Sequence, residues 1–169
     1  MKLARPLVIA AIAGLALVAA ALAWQTLGNS EPVPTVSYTL LDGRKSTTEA
    51  LRGKVVLVNF WATSCTVCVA EMPQIISTHN KFRERSYDTV AVAMSYDPPA
   101  LVARFAESRR LPFGVAIDNT GEIAKRFGDV ELTPTTFLID KRGRIVKRYV
   151  GAPDFAELHV LVEELLAQT

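Results

Sequence analysis

Cysteine and histidine are scarce: the 169-residue chain has two of each. A closed zinc centre needs four ligands, and His79 and His159 lie in helical stretches without spacing matched to Cys65 and Cys68. No metal is expected, and both histidines read as surface or packing residues. A basic run is also missing. The net charge is +2, but setting Lys2 and Arg5 aside leaves 17 basic against 17 acidic residues. That balance removes nucleic acid as a partner. Arg109 and Arg110, and the cluster Lys141, Arg142 and Arg144, read as solvated surface. No internal repeat or low-complexity tract is visible after the N-terminal run.

Charge is absent altogether from residues 7–24. An 18-residue helix rises about 27 Å, close to the hydrocarbon thickness of a bilayer. The apolar part of a cleaved signal is usually shorter, so residues 1–28 read first as a transmembrane anchor. Ala21-Leu22-Ala23 also fits a small-x-small cleavage site, which leaves a cleaved signal as the alternative. No cysteine lies near residue 23, which excludes a lipidated N-terminus. Lys2 and Arg5 belong on the cytoplasmic side, so either reading sends Gln25 onward across the membrane. Residues 29–34, with two prolines, read as a stiff linker. Residues 35–169 form the folded domain, long enough to hold a core.

The domain reads as α/β. Residues 36–41 form a strand, Asp42-Gly43 a turn, and residues 48–51 a short helical turn. Residues 55–61 are β-branched and aromatic almost throughout, which fits a strand buried on both faces. A helix follows over residues 65–85, interrupted at Pro73. Residues 89–95 are the next strand and Asp97-Pro98-Pro99 a loop. A helix to Arg110, a strand at 115–117 and a short helix at 122–127 come next. Strands at 135–140 and 144–150 flank a turn at 141–143, and Phe155, Leu158, Leu161, Val162 and Leu165 give the apolar stripe of a last helix. Alternating units followed by a hairpin imply a mixed central sheet flanked by helices, with an N-terminal β-hairpin extension.

The chemistry lies at Cys65-Thr-Val-Cys68. A disulfide between residues so close closes a tiny loop and stabilises the fold least, so a redox role is favoured over a structural one. The pair sits between a buried strand and a helix, which puts Cys65 in the first helical turn. Unpaired N–H groups and the helix dipole favour a thiolate there. Lowering a thiol pKa from about 8.5 to about 7 corresponds to roughly 2 kcal/mol. Cys65 is the expected nucleophile and Cys68 the more buried, resolving thiol.

Two segments carry a family resemblance. Val58-Asn-Phe-Trp-Ala-Thr-Ser-Cys-Thr-Val-Cys-Val-Ala-Glu-Met-Pro73 resembles the active-site region of thioredoxin-like proteins, and more narrowly the bacterial membrane-anchored branch of TlpA, ResA and the cytochrome-c-maturation thioredoxins. Thr133-Pro-Thr-Thr-Phe-Leu-Ile-Asp140 is similar to that family's segment with a cis-proline before a core strand. The resemblance implies a thioredoxin-like fold and a thiol:disulfide oxidoreductase acting in the periplasm from a single-pass anchor in the inner membrane. It implies no cofactor beyond the Cys65–Cys68 disulfide. Its partners would be exported proteins with disulfides, apocytochrome c or copper-site assembly proteins among them, and a membrane dithiol electron donor. Position by position, it implies a cis Pro134 facing Cys65, Thr133 offering backbone groups to an extended substrate, and Trp61 flanking the site. Pro73 would be the structural helix kink. Glu71 would assist proton movement at the thiols; the alternative for Glu71 is a solvated helix carboxylate. Ser64 departs from the second Trp of many thioredoxins, and Asn59 from the buried Asp of the cytosolic ones. Rival readings are a disulfide oxidase of the same fold and a copper-handling module with thiolate ligands. A peroxide-reducing enzyme would need Pro and Thr at set positions before its cysteine, and only Thr63 is there.

Overall fold

A computed structural model describes residues 31–168. The chain divides into two units, Met1–Glu31 and Pro32–Thr169. The expected anchor at residues 1–28 lies outside the described residues. Among those described, no helix is long and apolar enough to cross a membrane.

The strands are β1 (Glu31–Pro32), β2 (Ser37–Thr39), β3 (Lys45–Thr47), β4 (Val55–Trp61), β5 (Tyr87–Ala93), β6 (Gly114–Ile117), β7 (Thr135–Ile139) and β8 (Arg144–Val150). Among the described residues, four helices join them: α1 (Thr66–Phe82), α2 (Pro99–Arg109), α3 (Glu122–Arg126) and α4 (Phe155–Ala167), with a 3-10 turn at Glu49–Leu51. The main sheet runs β1-β8-β7-β4-β5-β6, and β2 pairs with β3 in a separate antiparallel hairpin. β4, β5 and β6 are parallel, whereas β7 runs antiparallel to both β4 and β8. This is a thioredoxin-like α/β fold with a mixed sheet. The β7–β8 turn closes at Gly143, whose φ of +76° suits a residue without a Cβ.

β4 is the central strand, and every one of its residues is buried. Alternate side chains feed two cores. Val55, Leu57 and Trp61 pack with Cys68, Met72 and Ile75 of α1 and with Leu158 and Val162 of α4. Val56, Val58 and Phe60 pack on the opposite face with Ile123 of α3 and with Phe127 and Phe137. There Phe60, Phe127 and Phe137 meet edge-to-face with ring centroids 5.2 to 5.9 Å apart. Such pairs add about 0.5–1.5 kcal/mol each beyond their burial.

The structure corrects several boundaries. β5 spans Tyr87–Ala93 rather than residues 89–95. Tyr87 already pairs with Val55, and Met94 donates its last sheet hydrogen bond to the Trp61 carbonyl before the chain turns. Pro99 opens α2 instead of ending a loop, since a proline at the first helical position lacks only an N–H that would be unpaired anyway. α1 starts at Thr66, ends at Phe82 and continues through Pro73. Lys141 is not simply solvated. Its ammonium donates to the carbonyls of Leu166 and Gln168, at 2.9 and 2.6 Å, closing the C-terminus of α4 where the dipole is negative.

Candidate active site

β4 delivers the chain to the site and α1 carries it away. Cys65 is the N-cap of α1, with an extended backbone at φ −87° and ψ 103°, and its Sγ accepts the Cys68 N–H at 3.1 Å. It therefore stands one residue ahead of the helix, not within the first turn, while Cys68 is the third helical residue. A sulfur at the cap faces the unpaired N–H groups directly, the placement that most favours negative charge on it. The two sulfurs are joined in a disulfide. Cys65 is half-buried, and Cys68 is fully buried in the core formed by α1 and β4.

The loop ahead of Cys65 is pinned from another element. Asp97, 2 % exposed, accepts from both the backbone N–H and the hydroxyl of Thr63. Asp97 lies in the turn after β5, and its contact spans 34 residues of sequence. In the sequence it is only part of a proline-bounded loop; an aspartate before two prolines carries no pattern that would single it out.

Trp61 does not flank the site with an exposed ring. It is wholly buried and packs against Phe105 of α2 with centroids 5.0 Å apart, so it offers no surface to a substrate. Exposed apolar side chains near this end of the sheet include Val67 between the cysteines, Tyr96 after β5, Leu132 ahead of β7 and Val150 at the end of β8. The Tyr96 hydroxyl hydrogen-bonds with the Thr133 hydroxyl at 3.3 Å, linking those two loops. Neither Tyr96 nor Leu132 is distinguishable from other apolar residues in the sequence.

The Thr133–Pro134 peptide bond is cis. Pro134 is buried, and its carbonyl accepts the Gly151 N–H at 2.8 Å. Because Thr135 pairs with Phe60, Thr133 and Pro134 lie at the end of the sheet from which β4 runs into the Cys65 loop.

Glu71 is no solvated carboxylate. It is 5 % exposed on the buried face of α1, one turn after Cys68. Asn59 of β4, itself fully buried, donates through Nδ2 to Glu71 Oε1 at 3.1 Å and to Thr136 Oγ1 of β7 at 2.9 Å. Burial raises the Glu71 pKa from 4.5 to about 7 against the lowering effect of the Asn59 hydrogen bond. Desolvation disfavours the carboxylate more than one donor restores it.

The histidines pack. His79 shares a hydrogen bond with Thr89 at 3.2 Å and meets the Phe113 ring edge-on, and His159 bonds Thr78 at 2.8 Å. Burial lowers the pKa of both. Among the described residues, no three His, Cys, Asp or Glu side chains converge as metal ligands.

A family model, Redoxin, matches residues 28–162. The chain belongs to the Redoxin family. Within it, the chain is similar to the thiol-disulfide oxidoreductase ResA of Bacillus thuringiensis subsp. konkukian, with 33% identity over 132 residues, 78% of this chain and 75% of that protein. ResA of Bacillus subtilis is 28% identical over 135 residues, 80% of this chain and 74% of the relative. Among solved structures, one from Neisseria meningitidis superposes with a TM-score of 0.77 at 37% identity, covering 83% of this chain and 93% of that one. A thiol:disulfide interchange protein of Chlorobium tepidum superposes with a TM-score of 0.74 at 26% identity, covering 82% and 98%. This redoxin falls in the thioredoxin-like ResA/TlpA branch and is a thiol-disulfide oxidoreductase, with Cys65 and Cys68 as its redox pair.

Proposed function

We propose that this redoxin reduces disulfides in exported proteins, with Cys65 as nucleophile, Cys68 as resolving thiol and Glu71 as the group that handles the proton of Cys68. The unequal burial of the two sulfurs carries the reading: only Cys65 is open to a partner, and only it sits at the helix cap. In the reduced enzyme the Cys65 thiolate attacks a client disulfide. One client sulfur leaves as thiolate and a mixed disulfide forms on Cys65. Cys68 then gives its proton to Glu71 and attacks the Cys65 sulfur, and the second client sulfur leaves and takes a proton. Two electrons pass from the enzyme dithiol to the client, and the Cys65–Cys68 disulfide is restored. A membrane dithiol carrier then re-reduces it.

Thr133 and the buried Pro134 would present the backbone along which an extended client lies. The uncharged stretch 7–24 behind Lys2 and Arg5 supports an anchor in the bacterial inner membrane, with the domain in the periplasm. Apocytochrome c and copper-site assembly proteins are the client classes that the family branch suggests. A disulfide oxidase is the second reading, but nothing in Thr66-Val67 adds the strong thiolate stabilisation that an oxidant needs. The test is to expose the reduced Cys68→Ser chain to periplasmic protein. Clients should accumulate as mixed disulfides on Cys65 and be absent with Cys65→Ser; no capture by the reduced Cys68→Ser chain would overturn the reductive assignment.

A further inference from the structure

Asn59 stands on the face of β4 that packs against α1, between Leu57 and Trp61, which belong to that apolar core. A buried amide in such a row is costly unless its polar atoms are paired. Both partners of its Nδ2 are set by the fold. Thr136 lies directly across the β4–β7 ladder from Asn59, and Glu71 reaches down from α1. The three side chains thus form one chain from β7 through β4 to α1, every member at most 5 % exposed.

The chain is incomplete in one respect. Among the described residues, Asn59 Oδ1 and Glu71 Oε2 are buried without a hydrogen-bond partner. Each such atom costs a desolvation penalty. Trp61 Nε1 and Tyr149 Oη are buried in the same condition, but of these atoms only Glu71 Oε2 belongs to an ionisable carboxyl on the helix that carries Cys68. On Glu71 the two oxygens differ: Oε1 accepts from the Asn59 amide, and no described side chain or backbone group pairs with Oε2. Cys68, three residues earlier, shares the buried face of α1. Burial raises the proton affinity of Glu71 and the Asn59 hydrogen bond lowers it. Once the disulfide opens, Cys68 supplies a thiol three residues away on that buried helix face.

We propose that Asn59, held by Thr136, is a positioning residue that locks Oε1 of Glu71 and reserves Oε2 for the proton exchanged with Cys68. The inference rests on the reading of Glu71 as the proton-handling group. In the step concerned, the Cys68 S–H bond breaks and an O–H bond forms at Oε2. The electron pair left on sulfur attacks Cys65, and the client sulfur departs. Asn59 keeps the carboxylate form within reach near neutral pH by donating to it, so the acid can accept the proton as well as release it.

The test uses the full chain with its glutamates labelled at the carboxyl carbon, together with the pH dependence of single-turnover client reduction. Asn59→Leu removes the donor at similar volume. The Glu71 titration midpoint should rise by about one pH unit, the loss expected for a hydrogen bond to a charged group. The acid limb of the rate profile should move with it, and the plateau rate above that limb should fall because the carboxylate is no longer held in one orientation. Thr136→Val leaves the carboxyl's own donor in place but frees the amide, and should move the midpoint the same way by less. It serves as the second variant if Asn59→Leu does not fold. Midpoints that coincide with the unaltered protein in the variants that fold would overturn the proposal. Glu71→Gln separates the two levels: if it abolishes the limb while Asn59→Leu leaves it in place, the positioning role alone fails. A limb that persists in Glu71→Gln removes the Glu71 reading, and the positioning role with it.

Discussion

Replacing Glu71 by Gln should change how the stability of the oxidised protein responds to pH. A carboxyl that titrates at about 7 in the fold rather than at 4.5 holds its proton more tightly folded than unfolded. Between those values the unfolded chain binds fewer protons, so stability falls as pH rises. The contribution is complete below about 4.5 and lost as pH passes through about 7. Integrated over that interval it amounts to about 3 kcal/mol. The amide of the Glu71→Gln variant cannot ionise, and its carbonyl oxygen can still accept the Asn59 hydrogen bond, so the variant's curve lacks this loss. The lowered pKa values of His79 and His159 act in the opposite sense, adding stability above about 6.5 and losing it as pH falls. They are common to both proteins and cancel in the difference. Urea unfolding at about pH 4.5 and about pH 8.5 measures it. Relative to the unaltered protein, Glu71→Gln should gain about 3 kcal/mol between the two. Unfolding free energies that run parallel across this range would refute the argument that burial holds the Glu71 proton.

Asp97→Ala leaves the Thr63 N–H and hydroxyl without their acceptor and should lower the unfolding free energy by about 2 kcal/mol. Client reduction should slow as the loop before Cys65 loosens, as single-turnover kinetics would record. The full chain should sediment with the inner membrane, and protease added from the periplasmic side should reach its domain. A mature N-terminus at Trp24 would instead assign a cleaved signal.

Most of the element order is legible in the sequence, because strand and helix patterns are local. The β-branched run of β4 marks its own bounds, and the spacing of Leu158, Leu161, Val162 and Leu165 marks α4. The pattern misleads where a neighbour decides. β5 starts two residues earlier than its own residues suggest, because Tyr87 is held by Val55 across the ladder. The family resemblance implies that Trp61 flanks the site; its ring is buried against Phe105 of α2 instead. The burial of Glu71 cannot be read from one glutamate on a long helix.

By itself the sequence determined that two cysteines two residues apart sit where a buried strand runs into a helix, and that an uncharged stretch precedes the domain. Residue type and spacing suffice for both. Only the tertiary structure decided what surrounds the sulfurs. Asn59 meets Glu71 across 12 positions and Thr136 across 77, and Asp97 reaches Thr63 across 34. A carboxyl's proton affinity depends on the water removed from it and the donors left beside it. At Glu71 both are supplied by β4 and the packing of α1 against the sheet, from residues that no local pattern connects.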